Sequence, residues 1–315
     1  MVHLRISCVS ELAPPVLEYL SRLDLSAQIA HFPGACQKPN ADLIVCDLPR
    51  ESASAVITAL RELGLDDGGS ILVHGIDAAV SPKADEASAR APGAAADAVL
   101  WEQVQAQTSD SAELTGTYLA FMIVATVFGA IGVLTDSLIL IVGAMVVGPE
   151  FGPLAGLCVA TIDRRWGLAR RSALALALGF VLAILAAYAT VHLLVWSGVA
   201  PAGPVQHPAT LFISRPDAYS AIVATLAGVV GMLSLTTSKS GALIGVLISV
   251  TTIPSAGNIA VAAAYSDTGE VRGAIAQLGL NLALLVVAGL ATLAIQRLAF
   301  AHRLRQLVVR AIRPR

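Results

Sequence analysis

The chain has 315 residues, of which 56% are hydrophobic and 13% charged, and its formal net charge at pH 7 is −2. This composition is far more apolar than that of an ordinary soluble domain, and the near-neutral charge provides no basic surface for nucleic acid. The N-terminus has no basic region followed by an apolar core, so no cleaved signal peptide is expected. The four cysteines form no C-x-x-C pair, and we interpret them as reduced, buried thiols.

Residues 1–80 have the pattern of a small cytosolic α+β domain. Alternating or continuous apolar runs predict four strands, and amphipathic spacing predicts two helices at 14–23 and 52–63. The resulting order βαββαβ is that of a ferredoxin-like sandwich, similar in outline to small ligand-sensing ACT-type domains. Residues 81–110 are predicted to be a linker rich in Ala, Pro and Ser, followed by a short juxtamembrane helix.

Residues 111–300 predict an α-helical membrane domain, followed by a basic cytosolic tail at 301–315. Each of six nearly uncharged runs reaches the roughly 20 residues that a membrane-spanning helix needs. Because these runs lack a polar face, they do not fit a soluble bundle. The six runs are 115–135, 137–162, 172–214, 218–238, 240–266 and 273–296.

The distribution of Lys and Arg predicts the orientation of the spans. Eleven of these residues lie in the loops after the second and fourth runs and after the last run, against two, Arg215 and Arg272, on the other side. By the positive-inside rule, both termini are cytoplasmic. We therefore predict a multi-pass protein of the plasma (inner) membrane.

Two of the six runs contain an interruption at matching places. The second is interrupted at 148–153 by two glycines and two prolines, and the fifth around Pro254. Corresponding runs in the two halves begin 101 to 103 residues apart. We therefore predict two inverted three-helix repeats with broken second and fifth helices, an arrangement that places transport sites near the bilayer midplane.

The interrupted segments also carry a family resemblance. The segment GAMVVGPEFGPL (Gly143–Leu154), paired with the downstream segment GALIGVLISVTTIPSAGNIAVA, resembles the bacterial and archaeal family called domain of unknown function 389. The resemblance covers roughly residues 110–300. It implies a membrane location and a membrane fold preceded by a cytosolic domain, but no particular activity. Members of this family more often have an apolar residue where this chain has Glu150.

Glu150 is the strongest candidate for a functional residue. A carboxylate in the middle of a membrane-spanning segment is costly and marks proton or ion sites; alternatively, backbone donors at the start of the following half-helix neutralise it. The hydroxyl and amide groups near Pro254 can coordinate Na⁺ or a polar solute, or bond back to their own helix. The candidate substrate- or ion-binding residues are Pro149, Glu150, Gly152, Thr251, Thr252, Ser255 and Asn258.

These features predict a secondary transporter or channel for a small polar or ionic solute, with H⁺ and Na⁺ as candidate ions. The alternative is a non-transporting membrane sensor or scaffold whose cytosolic domain binds a small ligand or partner. The sequence has no Walker A motif, H-E-x-x-H motif or dinucleotide fingerprint, so we expect neither an enzyme nor a bound cofactor. We also expect a homo-oligomer embedded in the lipid bilayer.

Overall fold

The computed structural model describes residues 1–312 apart from 24, 77, 92–97, 112, 202–209, 211–212, 214 and 238–241, and describes only the backbone at 111, 242–251 and 300–312. The chain divides into two compact units. The first contains Met1–Val104, Thr236–Ser238 and Arg297–Arg315, and the second contains Gln105–Leu235 and Lys239–Gln296.

The first unit is built around a four-stranded antiparallel sheet with the strand order β2-β3-β1-β4. The order of strands and helices is the predicted βαββαβ, extended by a kinked segment (Arg61–Leu65), in which Gly64 has a positive φ of 96°, and by a short turn of helix before the last strand. The elements are β1 (Val2–Cys8), α1 (Ala13–Arg22), β2 (Gln28–Gln37), β3 (Asn40–Leu48), α2 (Arg50–Leu60), α3 (Asp66–Gly68) and β4 (Gly69–Gly75).

One face of this sheet forms the core of the first unit. In β1, every second side chain from Val2 to Cys8 is fully buried, as the two-residue period of a strand requires. Helices α1 and α2 cover that face with buried side chains that include Val16 and Leu60. No two of the four cysteines are bonded; three are buried and Cys36 is half-buried. Burial raises the pKa of the Cys46 thiol to about 12, so this thiol is uncharged and unreactive at neutral pH.

The region interpreted as a linker contains a helix, α4 (Pro82–Arg90), and is followed by α5 (Trp101–Ser111). Proline at the start of α4 is a favourable first-turn residue, and Ala84 and Ala87 are buried. Composition alone does not reveal such a helix, because alanine and serine are common in linkers too. Leu100 belongs to the core of the sheet domain, and the Ser54 hydroxyl donates to a carboxylate oxygen of Glu102 over 2.6 Å.

The second unit contains the long apolar helices. Four helices are long and apolar enough to cross a membrane, and a fifth span results if the bent pair α7 and α8 counts as one. The chain is therefore a multi-pass membrane protein with four to five such spans among the described residues; six spans and the inverted repeat are not confirmed. The helices are α6 (Gly116–Leu134), α7 (Leu138–Val147), α8 (Phe151–Ile162), α9 (Trp166–Trp196), α10 (Ala218–Thr236), α11 (Ala242–Ala264) and α12 (Thr268–Ile312). The last residue of α10 and the part of α12 from Arg297 onward belong to the first unit.

The two predicted interruptions have different outcomes. The second apolar run is broken, because α7 and α8 meet at an angle of 50°. The prediction of a broken fifth helix is wrong, since α11 continues through Pro254. A single proline removes one backbone donor, and neighbouring helices can compensate for that loss inside a membrane domain. Helix α11 packs against α6, α7 and α9, whereas the α7–α8 junction contains two prolines within five residues.

Helix α11 lies very close to α6 because both helices have glycine at their contact. A Cβ atom on Gly257 would lie 2.7 Å from the backbone nitrogen of Ala130 and from the carbonyl carbon of Gly129. A Cβ on Gly129 would in turn meet the carbonyl oxygen of Ile253 at 3.4 Å. Close approach of this kind is typical of small residues at helix contacts in membranes. The pair therefore fixes the position of the middle of α11.

We predict that Gly257→Ala destabilises the protein, because the new methyl group can be accommodated only by moving backbone. Overpacking of this kind costs about 1–3 kcal/mol, which should appear as a lower midpoint of thermal unfolding in detergent. The matched control is Gly143→Ala in α7, where a Cβ meets no atom within 4 Å. Equal midpoints for the two variants would contradict the close contact.

We also predict that residues 1–104 fold on their own as a soluble fragment, and that a fragment ending at residue 80 is less stable. The shorter fragment lacks Leu100, whose burial contributes about 1.5–3 kcal/mol. Thermal unfolding followed by circular dichroism measures the difference. Aggregation of the longer fragment, or the same midpoint for both, would show that this assignment of the domain boundary is wrong.

Candidate binding site at a helix break

The break between α7 and α8 follows directly from the local sequence. Proline disfavours helical geometry in the residue before it, and Gly148, which precedes Pro149, has the extended backbone angles φ −61° and ψ 122°. Pro153 lies in the first turn of α8, where the missing N–H costs no hydrogen bond. Residues 148–150, called the helix break below, therefore separate two half-helices.

Glu150 is the N-terminal capping residue of α8, and its side chain is completely buried. The carboxylate makes no capping hydrogen bond to the backbone of α8. Instead, the hydroxyl of Thr252 in α11 donates to Oε1 over 2.7 Å. The hydrogen bond of this carboxylate to Thr252 therefore reaches across to another helix, while the carboxylate also lies at the positive end of the α8 dipole.

Thr252 is held in place by the packing of α11. Its side chain is fully buried, and it lies in the same helix as Gly257, which fixes α11 against α6. The turn before α8 thus positions the carboxylate of Glu150. The packing of α11 against α6 positions the hydroxyl of Thr252. The result is a buried polar pair that joins the start of α8 to α11.

The remaining predicted site residues do not all gather around Glu150. Pro149 and Gly152 flank it, and the Pro149 carbonyl accepts from the backbone N–H of Gly152 over 3.3 Å. The side chain of Thr251 lies outside the described part of the structure. Ser255 is buried, with 1% of its surface exposed.

Asn258 belongs to a second polar group, formed with α12. Its side-chain amide donates to Oε1 of Glu270 over 3.2 Å. Six residues along a helix turn the side-chain direction by roughly 120°, so Asn258 faces away from the direction of Thr252. The predicted cluster near Pro254 is therefore divided between two neighbours, because α11 continues as a helix.

Two polar residues of α12, Glu270 and Gln277, were missed by the sequence analysis. Glu270 was counted in the connection before the last apolar run, and Gln277 was not considered. The signal was present, because residues 270, 277 and 281 are spaced by seven and four and so share one face of a helix. Gln277 and Asn281 are buried, and the Gln277 amide donates to Oδ1 of Asn281 over 3.3 Å.

The usual metal-binding side chains do not cluster among the described residues. In that part of the chain, no three His, Cys, Asp or Glu side chains are placed to hold a metal ion together. The groups at the helix break include the Glu150 carboxylate, the Thr252 hydroxyl and the last carbonyl groups of α7, which have no partner within that helix. All of these groups can accept a hydrogen bond or coordinate a cation.

Comparison with known proteins gives a family and a distant relative. No solved structure matches the chain. An uncharacterised protein of Methanocaldococcus jannaschii is 24% identical over 156 residues, which are 50% of this chain and 47% of that protein, so the chain spans about half the length of this relative. Residues 145–287 match the family described as Domain of unknown function (DUF389). This match contains both Glu150 and Thr252, and it confirms the family resemblance inferred from the interrupted segments.

Proposed function

We propose that the chain is a secondary transporter or channel for a small polar or ionic solute, with Glu150 and Thr252 in its binding site. The observation that carries this proposal is the fully buried carboxylate at the helix break, bonded to a hydroxyl group of another helix. The broken helix supports it further, because unwound segments in membrane proteins commonly bind ions or substrates.

The energetic cost of this carboxylate favours a functional role. A charged side chain in the middle of a membrane-spanning segment costs about 2.5–3.5 kcal/mol on insertion scales. A neutral side chain such as glutamine could accept the same hydrogen bond from Thr252 without that cost. The carboxylate therefore supplies something that a neutral acceptor does not, namely a site that binds a proton or a cation.

The arrangement at the helix break suits a positively charged species. Glu150 contributes an anionic oxygen, and α7 directs its C-terminal carbonyl groups, the negative end of its dipole, toward the same break. Helix C-termini and unwound carbonyls coordinate the coupling cation in transporters, and a buried carboxylate can take up a proton. We therefore propose H⁺ or Na⁺ as the coupling ion.

The finer organisation of the membrane domain also belongs to this proposal. With 23 residues, α11 is long enough to be a further span, which gives six spans when α7 and α8 count as one. The offsets of 101 to 103 residues between runs support two inverted sets of three helices. The positive-inside rule supports cytoplasmic termini in the plasma (inner) membrane, and we propose assembly as a homo-oligomer.

We predict solute flux that depends on Glu150. Purified protein in proteoliposomes is exposed to concentration steps of Na⁺, K⁺, ammonium, amino acids and small carboxylates, with and without a pH gradient, and uptake or charge movement is recorded. At least one of these solutes should move faster than in empty liposomes. Glu150→Gln should reduce that flux at least tenfold, because glutamine cannot ionise, while changing the free energy of unfolding by at most ~1–3 kcal/mol.

The matched control for this experiment is Thr161→Val in α8. The Thr161 hydroxyl donates only within its own helix, to the Leu157 carbonyl over 2.7 Å, so its removal should leave the flux unchanged. Unchanged flux in Glu150→Gln would remove Glu150 from the site. Flux that never exceeds that of empty liposomes would instead favour the sensor or scaffold class.

A labelling experiment tests the proposed orientation. Val80 and Val199 are strongly exposed, and they lie next to the sheet domain and after α9, respectively. In a variant with Cys36→Ser, a membrane-impermeant maleimide added to intact cells should label Val199→Cys and leave Val80→Cys unlabelled until the cells are opened. The reverse pattern of labelling would show that the termini face outward.

A further inference from the structure

A cavity of about 440 Å³ opens at one end of the apolar helices, away from the helix break. It lies where α6 begins at Gly116, α8 ends at Ile162 and α9 begins at Trp166. The ends of apolar spans mark the level of the lipid headgroups. Trp166 lines the cavity and is 67% exposed, and exposed tryptophan is enriched at this level of a membrane. The cavity therefore opens where a lipid headgroup would lie.

The cavity carries two positive and two negative side chains. Arg165 and Arg171 line it together with Asp110 and Glu113. None of these four side chains forms an ion pair or a hydrogen bond with another described residue. Charges of both signs thus face one cavity without neutralising each other, and all four remain available to a ligand.

This charge pattern distinguishes among ligands. A guanidinium group binds phosphate through two parallel hydrogen bonds, so the arginines suit a phosphate. A ligand with only negative charge would also meet two carboxylates in the same cavity. A ligand with a phosphate and a primary ammonium group satisfies both the arginines and the carboxylates. Its phosphate accepts hydrogen bonds from the arginines, and its ammonium group donates to the carboxylates. The volume lies within the range of about 300–1,000 Å³ that is usual for small-ligand sites.

We propose that this cavity binds the zwitterionic headgroup of a phosphatidylethanolamine lipid. Arg165 and Arg171 hold the phosphate, and Asp110 and Glu113 accept hydrogen bonds from the ammonium group. The Trp166 ring lies beside the glycerol region at the membrane interface. The bound lipid thereby joins the segment before α6 to the turn between α8 and α9. This site is independent of the function proposed for Glu150.

Native mass spectrometry of the purified full-length protein in detergent tests the proposal. The probes are dioleoyl phosphatidylethanolamine, phosphatidylcholine and phosphatidylglycerol, each titrated separately. Phosphatidylethanolamine should bind at least about tenfold more tightly than either of the others, the difference expected from a charge-assisted hydrogen bond. Phosphatidylcholine has the same charges but no N–H donor, and phosphatidylglycerol has no cation.

Variants separate the two halves of the site. Arg171→Gln should lower the affinity for phosphatidylethanolamine about tenfold, whereas Arg170→Gln, which removes the neighbouring charge outside the cavity lining, should leave it unchanged. Asp110→Asn with Glu113→Gln should shift the preference toward phosphatidylglycerol. Equal binding of the three lipids, tighter binding of phosphatidylglycerol by the unaltered protein, or equal losses in the two arginine variants would overturn the proposal. Displacement of the lipid by equimolar glycerophosphoethanolamine would likewise overturn it, since the ligand would then be soluble.

Discussion

The structure depends on one constraint: backbone groups inside a membrane domain must find partners within the protein. The apolar helices meet most of this constraint with their own hydrogen bonds, and α11 continues across Pro254 although one backbone donor is missing there. The helix break at residues 148–150 is the place where two half-helices end instead. A carboxylate at this position lies between the last carbonyl groups of α7, which have no partner within that helix, and the start of α8. Its burial there is a consequence of the sequence Gly-Pro-Glu, which cannot continue the helix.

The same constraint explains how a distant helix supplies the partner of Glu150. Burying a polar group in an apolar bundle costs free energy unless the group is hydrogen-bonded. The hydroxyl of Thr252 supplies this hydrogen bond to Glu150 over 2.7 Å. The hydroxyl can reach the carboxylate because Gly129 and Gly257 let α6 and α11 approach closely. Helix packing through small residues and the polar pair are therefore linked. A change that separates the two helices should weaken the site even though it touches neither partner.

Much of the fold could be predicted from the sequence, because periodicity and charge report directly on burial. The sheet domain could be predicted from the two-residue period of residues 2–8 and from the helical spacing around Val16 and Val56. The membrane helices could be predicted from the length of the apolar runs. The helix break was predictable because two prolines and two glycines act together there. The same reasoning gave a wrong prediction at Pro254. The hydrogen bond lost at a single proline can be compensated by helix packing, which the sequence alone does not show. The bond from Thr252 to Glu150 joins residues 102 positions apart, and no local pattern specifies such a contact.

In the function proposed above, the carboxylate of Glu150 and the hydroxyl of Thr252 act as one unit in moving a solute. A double-mutant cycle on flux in proteoliposomes tests this most directly, with Glu150→Gln, Thr252→Val and the two combined. We expect both single variants to lose solute flux. The flux of the double variant should be no lower than that of Glu150→Gln alone. If the flux loss of the double variant equals the product of the two single losses, the two residues act separately. Full flux in all three variants would contradict the account.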